Sequence, residues 1–457
     1  MRKLMNRIHQ QSFRNILKLI IPLFLAAFLL LYSLPASSKV YLEINQPHIR
    51  KIPLAIAPLK TLDGRDQKGK KLADTCREVM IHDLDFSTFF NVLADTSTYL
   101  ENEAKSGISL GTFDFKDWSL IGAELLIKGG YYQTGDQLVL EMRLFDVFSR
   151  KMIIGKRYRG RLQDYRLMAH KFDNEVVKAI TGLPGEFASK IAFVGKKRNR
   201  KGVSQEIYIM DYDGAGLKQV THNGAINLSP SWSPDVTKLA YTSYKRNNPD
   251  LYVIDFNRGK ERLVARKKGI NAAAEWSSNS SRIVLMQRFE DNSEISIISA
   301  NTGRLLKRLT KNWANEASPC WSPSGRKIAF VSDRAGSPQI YTINLANNDL
   351  QRITRSGNYN AHPNWSEINN KIVFTSIIDG SFQICSINPD GSGLQQLTFL
   401  KGDNEDPSWS PNGQHIVFTS SATGIKQLMV MNLHGRDITP LTRENLEEKS
   451  PSWSGNQ

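Results

Sequence analysis

The sequence predicts a two-part chain, an α/β N-terminal domain followed by an all-β six-bladed β-propeller closed by its own C-terminal strand. Three observations predict it. A Trp-Ser pair recurs at Trp232, Trp276, Trp321, Trp365, Trp409 and Trp453, with gaps of 44, 45, 44, 44 and 44 residues. Each period holds short β-branched and aromatic runs bounded by turn residues. A run of the kind that follows each Trp-Ser pair, "KIAFVG" (190–195), also precedes the first pair, and none follows the last. A period of forty-odd residues with four strands is the signature of a propeller blade.

The chain opens on a basic stretch with Arg2, Lys3, Arg7, Arg14 and Lys18, no acid before residue 39, and the apolar run Leu19–Tyr32. Together with "SLPASSKV", whose Ala36 and Ser38 suit the small pockets of a signal peptidase, residues 1–38 read as an export signal cleaved before Lys39. The other reading is an uncleaved anchor. Fourteen residues interrupted by Pro22 fall short of the roughly 20 that span a bilayer.

Export also governs the meaning of the formal charge of +16. It argues against a nucleic-acid partner and directs the basic surplus toward anionic surfaces or acidic proteins. The densest basic run, "KKRNRK" (196–201), is expected on a solvated loop between strands. With 40% hydrophobic and 23% charged residues, the chain is neither disordered nor a membrane protein throughout. Cys76, Cys320 and Cys385 are too few and too scattered for a disulfide framework.

Residues 39–185 carry no repeat and are expected to form the small α/β domain. "IRKIPLAIAPL" (49–59) reads as a strand and "KLADTCREVMIHDL" (71–84) as a helix, with Leu72, Cys76, Val79, Met80 and Leu84 on one stripe. Residues 123–160 read as a three-strand meander with turns near Gly135 and Ser149. "RLMAHKFDNEVVKAIT" (166–181) is a second helix, stopped by Gly182 and Pro184.

Residues 186–457 are expected to be the propeller. The strand that follows a Trp-Ser pair, matched by "KIAFVG" at 190, begins at 190, 238, 282, 327, 371 and 415, so the blades number six. The first copy lacks its opening strand and the last copy has only that strand. Joined, they complete one blade and leave no free sheet edge. One tryptophan per blade is expected to fill the wedge between neighbouring sheets.

The sequence has no H-E-x-x-H pair, Walker loop or Rossmann fingerprint. The channel mouth is more informative. Five residues before each tryptophan stand Asn227, Asn271, Glu316, Asn360, Asn404 and Glu448; three before stand Ser229, Ala273, Ser318, His362, Asp406 and Ser450. Turn chemistry uses the same residue types. Six copies converging on one axis nevertheless favour recognition, above all on the acidic side at Glu316, Glu405, Asp406 and Glu448. An exported hydrolase or lyase, with a divalent cation on Glu405, Asp406 and Glu448, is the alternative.

An export signal, a small α/β domain and blades built on "KIAFVS…QIYTINL…LQRIT…PSWSP" resemble the TolB family, periplasmic members of the Tol-Pal system. "FDFKDWSLIGAELLIKG" (113–129) and "HKFDNEVVKAITGLPGEFASKIAFV" (170–194) are similar to that family's first domain and domain junction. The resemblance covers essentially residues 39–457. It implies a monomeric periplasmic binding scaffold without catalysis, metal or cofactor, linking the outer-membrane lipoprotein Pal to the inner-membrane protein TolA. Outer-membrane integrity and invagination at cell division would depend on that link. The resemblance implies a Pal-facing set of Asn271, Glu316, Asn360, His362, Asn404, Glu405 and Asp406. It implies a TolA-facing set at the mature N-terminus, Lys39, Val40, Tyr41, Leu42 and Glu43. The sequence departs from the family's S-P-D-G turn at "EWSSNSS" and "NWSEINN", and Ala272, Ala273 and Ala274 flatten one sector of the mouth.

Overall fold

The computed structural model describes residues 50–62, 69–93, 103, 106–199, 202–442 and 446–457. The expected export signal and the expected TolA-facing residues Lys39–Glu43 lie outside the described residues. Strands β1 (Ile52–Ile56), β2 (Lys60–Thr61), β3 (Phe90–Leu93), β4 (Leu125–Thr134), β5 (Gln137–Asp146) and β6 (Lys151–Arg161) form one sheet in the order β3-β1-β4-β5-β6, with β2 beside β4. β1 runs parallel to both neighbours, with Ile52 opposite Phe90 and Leu54 opposite Leu125. Its unbroken apolar run "IPLAI" suits a central strand covered on both faces. β4, β5 and β6 form the expected meander.

Helix α1 (Lys70–Phe86) buries Cys76, Val79, Met80 and Leu84 of the expected stripe, while Leu72 is half-buried. Asp83 is buried on the same face, which an apolar stripe does not foretell. The short helix α2 (Phe115–Leu120) is capped by Asp114, whose side chain accepts from the Lys116 N–H. Helix α3 (Tyr165–Thr181) packs on α1 and on β6, and ends at Gly182, whose φ of 77° only glycine adopts easily.

Beyond residue 188 the chain forms six four-stranded antiparallel sheets. The last sheet joins the C-terminal strand Glu447–Asn456 to strand Ser189–Asn199, with Trp453 opposite Ile191. Side chains reinforce this closure. Trp453 Nε1 donates to Ser189 Oγ at 2.8 Å, and Asn456 Nδ2 donates to the Gly185 carbonyl at 2.6 Å. Closing the ring gives the last sheet its inner strand, so that only the short outer strands of the blades remain as edges.

The basic run is a correction. Lys196 and Lys197 stand in strand Ser189–Asn199 opposite Gln205 and Ser204, not in a loop. That hairpin is longer than the six-residue pair member Lys238–Ser243. In the extension backbone pairing continues, with Lys196 half-buried and Lys197 exposed.

All six repeat tryptophans are buried, at 5–8% exposure, and each packs between two blades. Trp276 meets Ala240, Leu251 and Val253 of the preceding sheet and Ile283 and Leu285 of its own. Trp321 repeats the arrangement with Val284 and Ile297 on one side and Ile328 and Phe330 on the other. Backbone-directed bonds add direction, as Trp276 Nε1 donates to the Ser231 carbonyl at 3.1 Å.

Candidate protein-binding site at the propeller mouth

Every inner strand carries a bulge at the same place. Pairing shifts register between Leu228 and Ser231, and again at each equivalent position around the ring. The residue three before each tryptophan sits at positive φ: Ser229, Ala273, Ser318, His362, Asp406 and Ser450, all between 46° and 55°. Left-handed backbone at a non-glycine residue costs of order 1–3 kcal/mol, and here it recurs six times. A proline follows in five of the six bulges (Pro230, Pro319, Pro363, Pro407 and Pro451). Proline has no N–H to lose from the ladder, so a bulge is where it belongs. The Pro-x-Trp-Ser phrase therefore encodes a bulge that turns one side chain per blade into the channel.

The bulges line a central cavity of about 370 Å³, together with every repeat tryptophan except Trp321 and with Ser233, Ser410 and Ser454. Successive blades are bonded around it. Trp409 N–H donates to Asn364 Oδ1 at 2.9 Å, and Trp453 N–H donates to Ser408 Oγ at 3.0 Å. Glu275 and Glu367 also line the cavity, and burial pushes the Glu275 carboxyl up to about 8.

The structure divides the expected partner-facing residues into two sets. Asn271, Glu316, Asn360 and Asn404 are 0–2% exposed. They clamp the joint between each inner strand and the blade before it. Asn271 Nδ2 donates to the Lys267 carbonyl at 2.7 Å. Asn360 and Asn404 donate to Gln339 and Gln383 at 2.9 and 3.2 Å. Glu316 pairs with Arg334 and accepts from Asn312 at 2.7 Å. The first residue of an inner strand faces the preceding blade, so these side chains do not reach the channel surface.

His362, Glu405 and Asp406 form the other set. His362 Nδ1 lies 2.9 Å from Asp406 Oδ1, and Ser450 Oγ donates to Asp406 Oδ2 at 2.9 Å. One carboxylate thus bridges three blades. Burial works against the Asp406 charge, but His362 and Ser450 overcome it and hold the carboxyl at about 2. Burial would likewise depress the His362 imidazole; the Asp406 charge outweighs it and raises the imidazole above its usual value. Glu405 is paired with Lys426 at the rim.

The acids of the alternative cation site do not converge. Glu405 engages Lys426, Asp406 engages His362, and Glu448 is buried against Thr442 and the Leu428 N–H. Among the described residues no group of three His, Cys, Asp or Glu side chains is placed to hold a metal ion.

Two residues at this mouth escape sequence reasoning. Trp313 is 71% exposed and Phe399 77% exposed. Each sits in a loop that leads from an outer strand into the next inner strand, so both lie on the face of the propeller where the inner strands begin. Trp313 stands outside the 44-residue rhythm of the buried tryptophans, which is the one signal that marks it.

Comparison with known proteins agrees with this architecture. Residues 177–457, more than half of the chain, match the family model described as the TolB beta propeller domain, and residues 40–153 match the TolB amino-terminal domain. The Tol-Pal system protein TolB of Desulfosudis oleivorans is 40% identical over 210 residues, 46% of this chain and 47% of that protein. Its namesake in Syntrophotalea carbinolica is 38% identical over 193 residues, 42% of this chain and 43% of that protein. In these alignments the chain spans about half the length of the curated relatives it matches. The crystal structure of TolB from Acinetobacter baumannii superposes with a TM-score of 0.75 at 25% identity, covering 91% of this chain and all of that one. With both domains matched by their family models and the closed ring in place, the chain belongs to the TolB family.

Proposed function

We propose that the chain is a periplasmic, non-catalytic binding component of a Tol-Pal system. It holds the lipoprotein Pal at the propeller mouth, and its mature N-terminal residues Lys39–Glu43 engage TolA. Two relatives carrying the Tol-Pal name support the setting. The observation that carries the reading is the mouth itself. A three-blade bridge of His362, Asp406 and Ser450 lines the channel, and two exposed aromatic side chains, Trp313 and Phe399, stand on loops that lead into the inner strands. Exposed aromatic anchors and fixed charges are what a protein-binding hot spot draws on.

Within this reading the two residue sets do different work. His362, Glu405 and Asp406 contact the partner, while Asn271, Glu316, Asn360 and Asn404 hold the blades that present them. Linking Pal to TolA supports outer-membrane integrity and invagination at division. The test is calorimetric titration with the soluble domain of the same organism's Pal. Tight binding that His362→Ala with Asp406→Ala abolishes supports the reading; no binding by the folded wild-type protein overturns it.

A further inference from the structure

Away from the mouth, the small domain meets the propeller through buried ionisable groups that the proposed function does not use. Asp83 of α1 is fully buried. It accepts from the Tyr212 hydroxyl, which belongs to the propeller, at 2.6 Å. It also accepts from His170 Nδ1 of α3 at 2.6 Å. Beside it lies Asp173 of α3, also fully buried. Neither Asp173 oxygen receives a hydrogen bond from any described group. A carboxyl facing a carboxylate makes a hydrogen bond only if one of the two carries a proton. Asparagine would fit the same space without that requirement, so an acid here calls for a reason.

We propose that Asp173 holds the proton of a carboxyl pair with Asp83 that fastens the small domain to the propeller, and that loss of this proton to solvent loosens the fastening. The pair carries one negative charge when locked. That charge is the acceptor for Tyr212, the bond across the domain boundary. A second charge would repel the first across a dry contact, and α3 or Tyr212 would have to move.

The surrounding groups favour this division of labour. Burial opposes the Asp83 charge, but His170, His82 and Tyr212 outweigh it and keep the carboxyl below its ordinary range. Burial and the Asp83 charge both push the Asp173 carboxyl well up. From α1, Cys76 also faces the pair, its thiol raised to about 12 chiefly by burial. From β6, Tyr158 faces Asp173 and is raised, chiefly by burial. On the propeller side Asp213 is paired with Arg166 of α3. Glu186, in the linker, engages His415 at 2.7 Å, and the His415 ring stacks on Phe86 of α1 at 4.1 Å. No cation in this set bonds Asp173.

The sign follows from linkage. A carboxyl raised in the folded state stabilises it fully below the unfolded value of about 3.9, and that contribution is lost as pH rises through the folded value. Docking is therefore tightest in mild acid and weakens on the alkaline side.

Hydrogen exchange on the full chain tests this, reading α3 amides against propeller amides after correction for intrinsic rates. In the wild type the α3 protection should fall at least about tenfold between about pH 6 and about pH 9. In Asp173→Asn, whose amide donates permanently to Asp83, the fall should be less than about twofold. Equal falls in both proteins, or none in the wild type, would overturn the proposal. Should the variant not fold, carbon-13 aspartate spectra of the wild type decide. One carboxyl titrating well above the ordinary carboxylate range sustains the proposal, and its absence overturns it.

Discussion

His362 and Asp406 stand on neighbouring blades, 44 residues apart in sequence, with Nδ1 and Oδ1 2.9 Å apart. The two side chains meet because each occupies the left-handed bulge residue of its inner strand. The pair should be visible in solution. Because the imidazole is raised, the pair is complete in mild acid and is lost as pH rises through the folded value. In proton spectra His362 should titrate above a free imidazole, and Asp406→Ala should bring it down. An unchanged titration in the variant would contradict the pairing.

Trp321→Ala removes a side chain wedged between two blades and should cost about 3–5 kcal/mol in urea unfolding. Trp313→Ala, on an exposed loop, should stay within about 0.5 kcal/mol of the wild type. Both proteins lose one indole, so the contrast isolates burial. Similar losses in both would contradict the separation between wedge and surface tryptophans.

Asn404→Ala removes one of the two donors to Gln383 Oε1 and the acceptor of the Ser420 hydroxyl and should cost about 1–3 kcal/mol. Its effect on Pal affinity, measured on the folded protein by calorimetry, should be small beside that of Asp406→Ala. A large affinity loss with no stability loss would assign Asn404 to contact instead of clamping.

The architecture was largely legible because its determinants are periodic. One buried tryptophan per blade exposes the repeat, and the unmatched strands at residue 190 and around Trp453 disclose the closure. The mouth was only half legible. Strand alternation places residues five and three before tryptophan on one face, but the bulge between Leu228 and Ser231 and its equivalents separates them. Thus Asn271 turns into a blade joint while His362 turns into the channel. The exposure of Trp313 and Phe399 depends on loop placement, which the repeat pattern does not encode. The Asp83–Tyr212 bond joins residues 129 positions apart, and nothing in the stripe of α1 announces it.

Under the proposed function Pal docks on the propeller face that bears Trp313 and Phe399. The most direct measurement places a photo-crosslinking amino acid at Phe399 on that face, and in a second protein at Ser324 in a turn on the opposite face. Both proteins are then irradiated in cells. A Pal adduct from position 399 and none from 324 is the expected result. An adduct from 324 with none from 399 would contradict the account.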